Sequence, residues 1–189
     1  LAPYGEQEFF FCSFGADDKN ATQNILNVYQ GGLSLGQKEY YLDNDKATAD
    51  IREAFKKHVV KMFQLFGFSK SAATKKMQNI MKVETALAKV SKSRTELRDP
   101  EANYNKMTLQ EFEAKYPYLP LVKVMNATGV ETKYLQEMVV GQPAFLEGAN
   151  ALVAGIKPAE YRDVIEWGFI SGAANYLSDA TVAASFDFN

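Results

Sequence analysis

The hydrophobic pattern of this chain changes period at Asp43, and that change limits the folds open to it. Before Asp43, apolar residues alternate or cluster in short runs. After it they recur at helical spacing. Residues 8–14 and 24–30 read as two strands around Gly15-Ala16-Asp17-Asp18-Lys19-Asn20, a cluster of turn formers, so a β-hairpin with a longish loop is expected over 8–30. No internal repeat or low-complexity linker interrupts the helical pattern that follows. The predicted fold class is mainly α: one multi-helix domain over 1–189 with a small N-terminal β-hairpin.

The first long helix is expected over 47–66, with Gly67 as its stop and Ile51, Phe55, His58, Met62 and Phe66 along one face. The second begins at Ser69 or Ser71 and ends near Ser91. Its stripe is Met77, Ile80, Met81, Leu87 and Ala88, and Glu84 violates the pattern from inside it. Arg98-Asp99-Pro100 reads as irregular, because proline disfavours the α conformation at the residue before it. Thr108-Leu109-Gln110-Glu111 is a capping-box sequence, opening a helix that ends by Pro117. Pro120 opens a short helix that stops at Gly129, and Glu137 to Val140 is a candidate strand within an ambiguous 132–140. Pro143 opens a helix to about Ala154. Pro158, at the first helical position, opens the last long one, whose stripe reads Tyr161, Val164, Ile165, Gly168, Phe169, Gly172, Ala173 and Tyr176.

Gln30-Gly31-Gly32-Leu33-Ser34-Leu35 joins the hairpin to the helices. Adjacent glycines permit a positive φ or a very close backbone approach. A phosphate cradle is the chemical reading of such a turn, but the spacing fits neither GxGxxG nor GxxxxGK[ST]. About ten residues also separate the glycines from the helix that should face the anion. A structural corner locked by Leu33, Leu35, Tyr40 and Tyr41 is the better reading.

The residue inventory is rich in core and poor in chemistry. With 47% hydrophobic and 13% aromatic residues a real core is available. The 21 basic and 23 acidic residues nearly balance, so nothing advertises a nucleic-acid partner. Lys56-Lys57 and Lys75-Lys76 read as solvated faces. No apolar run approaches the ~20 residues of a transmembrane helix. The chain opens on Leu1-Ala2-Pro3-Tyr4, as though cut from something longer, so the missing targeting segment says little about compartment.

One His and one Cys cannot supply a catalytic zinc site, which needs about three protein ligands. Neither HExxH nor CxxC occurs, and no ExxH pairs exist for a ferritin-like carboxylate site. Any Ser-His-Asp set would have to use His58, which sits on a core-facing stripe and reads as structural. Cys12 reads as a small core hydrophobe. Asp17 and Asp18 read as turn residues rather than ligands. Asn20-Ala21-Thr22 and Asn126-Ala127-Thr128 fit the N-glycosylation pattern, a motif too short to carry weight. No catalytic and no metal-binding residue is assigned.

Glu84 is the best candidate for a perturbed acid, since a buried carboxylate must be paired or lose its charge. It reads either as a general acid or base in a cleft, or as a structural clasp to Arg98 that pins the irregular Arg98-Asp99-Pro100 segment. The clasp is the expectation.

Four segments then stand out together: Phe9-Phe10-Phe11 running to Asp18-Lys19-Asn20; Gln30 to Leu35 with Tyr40-Tyr41-Leu42; Arg98-Asp99-Pro100 with Tyr104-Asn105-Lys106-Met107-Thr108; and Trp167 with Tyr176-Leu177-Ser178. In this order and spacing, and with Val83-Glu84 and Leu87-Ala88, they resemble the neprilysin and endothelin-converting-enzyme family of zinc metalloendopeptidases. Gly36 departs from the family, whose members commonly carry proline there, and is expected to loosen the corner. The resemblance implies the amino-terminal helical region, covering a thermolysin-like catalytic domain that lies further toward the C-terminus and carries the zinc ligands.

By that resemblance this chain holds no cofactor, zinc belonging to the parent's catalytic domain, and alone it hydrolyses nothing. Its partners are that missing C-terminal catalytic domain and the parent's peptide substrates, with no nucleic acid. Its role is a lid enclosing a chamber that admits oligopeptides, in an extracytoplasmic setting (periplasmic, secreted or membrane-anchored outside). A free-standing helical module that binds a peptide or protein is the alternative from another class. A small enzyme pairing Glu84 with His58 is a third.

Overall fold

The computed structural model describes residues 9–188. Residue 8, the expected first strand residue, and the opening Leu1-Ala2-Pro3-Tyr4 lie outside the described residues. The chain divides into two compact units, each assembled from separate stretches: 1–32 with 90–155, and 33–89 with 156–189.

The first unit carries the sheet. Strands β1 (Phe10–Asp17) and β2 (Asn20–Gln30) form the expected hairpin. The strands run longer and the connection is tighter than the turn formers suggested. Pairing continues through Gly15↔Ile25 and Ala16↔Asn24, the register then shifts, and the reversal narrows to Asp18-Lys19.

Two further strands complete a four-stranded sheet of order β1-β2-β4-β3. β3 (Asn105–Thr108) is antiparallel to β4 (Glu137–Val140), and β4 runs parallel to β2 with Leu26 opposite Met138 and Val28 opposite Val140. β4 is an inner strand, and its apolar run Met138-Val139-Val140 is buried on both faces, as an inner strand requires.

Helices of the same unit supply the rest of its core. Thr108 caps α4 (Leu109–Lys115) through the reciprocal Thr108–Glu111 capping box read from sequence. α5 (Leu121–Ala127) follows Pro120, and α6 (Pro143–Gly155) begins at Pro143. Phe112, Tyr116, Leu121, Leu135, Phe145 and Leu146 are fully buried with Leu26, Val28, Met138 and Val140.

The second unit is helical. A short helix over Glu39–Leu42 precedes the long helices at Lys46–Leu65 and Lys70–Val90; these are α1, α2 and α3 in sequence order, ahead of α4. Asp45 caps α2 by accepting from the Thr48 N–H, and Gly67 takes φ 88° just past its end. Ser69 Oγ accepts from the Ala72 N–H at the start of α3. α7 (Pro158–Ala173) starts at Pro158 as expected. It stops three residues early, giving way to a 3-10 turn over Ala174–Tyr176 and then α8 (Asp179–Phe186), which is capped by Ser178.

The expected stripe of α7 is rotated by one position. Glu160, Asp163, Val164, Trp167 and Ile170 are buried, whereas Phe169 and Tyr176 are exposed. The cause is charge pairing with α3. Lys76 Nζ bonds Asp163 at 2.7 Å and also Glu166, Asn79 Nδ2 bonds Asp163 at 2.7 Å, and Lys82 bonds Glu160 at 2.6 Å. Carboxylates so matched can enter an interface that hydropathy alone reserves for apolar residues. On α2 the buried set is Phe55, Val59, Met62 and Phe63, so Ile51 and Phe66 fall on the exposed side.

Candidate functional site

Each unit has a carboxylate that is almost fully buried and bonded to a tyrosine hydroxyl. In the second unit it is Glu84, 3% exposed, in the middle of α3. The corner that precedes α1 delivers its partners. Gly31 sits where a Cβ would come within 3.2–3.3 Å of the Phe10 and Phe11 backbone, and Gly32 has φ 78°. One glycine is needed for close approach and the other for its conformation.

The chain leaving that corner presents Ser34 to Glu84. The Ser34 N–H donates to Glu84 Oε2 at 3.2 Å, and its hydroxyl donates to Oε1 at 2.6 Å. The Tyr41 hydroxyl donates to Oε2 as well and accepts from the Leu35 N–H at 3.0 Å. Trp167 Nε1–H donates to Ser34 Oγ at 2.9 Å. Burial is the largest influence on Glu84 and pushes its pKa up to about 7, against the opposing pull of the Ser34 and Tyr41 hydrogen bonds. The Tyr41 phenol is pushed up too, by burial first and then by the Glu84 charge.

Glu84 holds Ser34, Tyr41 and, through Ser34, Trp167. Arg98, the expected partner, is not among these residues. It lies exposed in the 3-10 turn Glu96–Arg98 of the first unit, while Ser34 and Tyr41 take up both carboxylate oxygens of Glu84. Gly36 adopts φ 76° and its N–H closes a turn onto the Leu33 carbonyl at 2.9 Å, neither of which proline could do.

His58 is placed by aromatic contacts. Its ring stacks on Phe188 at 4.7 Å and meets Trp167 edge-on at 5.8 Å. Burial, with Lys61 nearby, lowers its pKa and favours the neutral ring. The partners shown for Glu84 and His58 do not include each other, so the acid–base pair is not assembled.

In the first unit the buried carboxylate is Asp17, 2% exposed. It accepts from the Lys19 N–H at 2.9 Å and from the Tyr104 hydroxyl at 2.8 Å, and Lys106 Nζ stands 3.5 Å away. The Lys19 and Tyr104 hydrogen bonds, then the Lys106 charge, hold its pKa below the usual carboxylate value. The turn reading of Asp17 is correct but incomplete. The same side chain ties the hairpin tip to the Tyr104–Lys106 segment.

The donor set does not fit a zinc ion. Among the described residues no three His, Cys, Asp or Glu side chains group as ligands. Burial pushes the Cys12 thiol up to about 12, far from the thiolate a metal requires. None of the described helices is long and apolar enough to cross a membrane.

The residues that sequence reasoning missed are Ser34, Tyr41 and Trp167 as partners of Glu84, and Tyr104 and Lys106 as partners of Asp17. All five lie in the segments that carried the family resemblance. That shared membership was the available signal.

Comparison with known proteins gives a consistent result. The family model described as Peptidase family M13 matches residues 1–189. Endothelin-converting enzyme 1 of Cavia porcellus is 27% identical over 179 residues, covering 93% of this chain and 24% of the relative. Neutral endopeptidase of Lactobacillus helveticus is 30% identical over 186 residues, covering 95% and 27%. The solved zinc metalloprotease ZMP1 of Mycobacterium tuberculosis superposes with a TM-score of 0.92 at 26% identity, covering 98% of this chain and 29% of that one. The chain spans about a quarter of the length of the curated relatives it matches.

Proposed function

The chain belongs to Peptidase family M13, and from that membership we propose that it forms the non-catalytic helical cover region of a zinc metalloendopeptidase, a lid that encloses the active-site chamber and restricts substrates to oligopeptides. The observation that carries the reading is the family match over residues 1–189. The parent's reaction is peptide-bond hydrolysis, its zinc sits in a catalytic domain, and this chain's partners are that domain and the peptides it admits. Extracytoplasmic placement is part of the same proposal.

A cover acts by shape. It needs a rigid shell and no reactive side chain, and Glu84 and Asp17 serve rigidity by tying loops to helices and strands. The test compares the isolated chain with the full-length protein on a quenched-fluorescence oligopeptide and on a folded protein, alongside zinc content. The isolated chain is expected to show neither activity nor stoichiometric zinc. The full-length protein is expected to bind zinc and cleave the oligopeptide while sparing the folded protein. Metal-dependent hydrolysis by the isolated chain that survives repurification overturns the proposal.

A further inference from the structure

A groove of about 540 Å³ between α2 and α3 has neither Glu84 nor Asp17 among its lining residues. Arg52 and Lys56 line it from α2, and Lys82 and Lys89 from α3, with Met81 and Ala86 as its apolar lining and no carboxylate among the lining residues. The chain as a whole carries a net charge of −2, so this concentration of cations is a local feature.

Two of the four cations have acidic neighbours at the edge: Glu53 for Lys56 and Glu160 for Lys82, each at 2.6 Å. Arg52 donates to the Tyr40 and Asp43 carbonyls at 2.9 and 3.0 Å, which fixes the guanidinium without cancelling its charge. Lys89 forms no ion pair among the described residues. With Lys56 and Lys82 partly compensated, Arg52 and Lys89 leave the open surface with an excess of positive charge, which attracts anions.

Spacing selects the kind of anion. Lys82 and Lys89 are two helical turns apart, ~10 Å, and Arg52 and Lys56 about one turn, ~6 Å, at 1.5 Å per residue. One inorganic phosphate engages only one end of such an array. An extended peptide places alternate side chains ~7 Å apart on one face, a step that flexible lysine stems can follow. The Met81 and Ala86 lining suits the methylene groups of glutamate.

We propose that the α2–α3 groove is a docking site for an extended acidic peptide bearing carboxylates on alternate residues. The test is fluorescence anisotropy of the whole chain with a labelled Glu-Ala-Glu-Ala-Glu peptide. Saturable binding is expected, weakening about tenfold as salt rises from roughly 20 to 200 mM. Lys56→Gln with Lys89→Gln is expected to weaken binding by about tenfold, and Lys89→Gln alone by a smaller factor. Control changes at Lys70 and Lys75 should leave it unaltered. Melting of each variant is measured alongside, and the exposed Lys89 single variant keeps the test open if the double variant misfolds.

Absence of binding, equal binding of Lys-Ala-Lys-Ala-Lys, or indifference to the Lys89 change overturns the proposal. Displacement of the peptide by an equal concentration of inorganic phosphate also overturns it, in favour of a small-anion site. No hydrolysis is read, so this outcome is separate from that of the cover-region assay.

Discussion

Asp17 in the first unit and Glu84 in the second are both shut away from water, at 2% and 3% exposure, yet their pKa values move in opposite directions. Each accepts a backbone N–H and a tyrosine hydroxyl. Asp17 also has Lys106 at 3.5 Å, whereas the donors to Glu84 are all neutral. Neutral hydrogen bonds lower the cost of holding an anion in the interior without cancelling it. At Glu84 desolvation wins. At Asp17 the hydrogen bonds win, with help from a cation.

The largest expected effect is that of Glu84→Ala. It removes the acceptor for Ser34 and Tyr41 and leaves a cavity, a loss of about 3 kcal/mol. Asp17→Ala, beside groups that water can reach, should lower the urea midpoint by clearly less. Equal losses in the two variants break the comparison.

The second effect is a pair of opposite pH dependences. Native Glu84, at about 7 against an ordinary 4.5, keeps a proton that the unfolded chain has released. Its contribution is therefore full below pH 4.5 and lost as pH rises through about 7, on the order of 3 kcal/mol across the window. Asp17, lowered from 3.8, contributes above that value, and the contribution is lost as pH falls through its native pKa. Urea midpoints against pH should flatten between 4.5 and 7 in Glu84→Gln, and the acid limb should shrink in Asp17→Asn. If neither slope changes, the two carboxylates are not what sets them.

The smallest effect sharpens the Glu84 side. Ser34→Ala removes one donor to Glu84 and the acceptor of Trp167 Nε1–H, a loss of roughly 1–2 kcal/mol. Trp167 is the only tryptophan, so its emission reports on that bond directly. An unchanged spectrum and melting curve would show that the Glu84 cluster stops at Tyr41.

Legibility in the sequence followed the range of the forces involved. The caps at Thr108 and Ser178 are local hydrogen bonds, and the stops at Gly67 and Gly129 are local backbone conformations. Three of these four were read from spacing alone. β3 escaped notice because four residues beside a capping box carry no period, and their strand character comes from β4. The α7 stripe was misplaced because Asp163 and Glu160 are buried against α3 lysines, a pairing between helices far apart in sequence. Glu84 betrayed itself by breaking a pattern, but no local rule could say that Ser34, 50 positions earlier, would answer it.

The parallel pairing of β2 with β4 has a consequence for biosynthesis. Gln30 and its partner Gln142 stand 112 positions apart. At ~5–20 residues per second, a ribosome would take roughly 6–20 seconds to make the intervening chain. Throughout that interval the hairpin presents an open, apolar strand edge at Leu26 and Val28 with nothing yet made to cover it. Slow or interrupted translation between residues 30 and 142 is therefore the stage at which this chain is most exposed to aggregation.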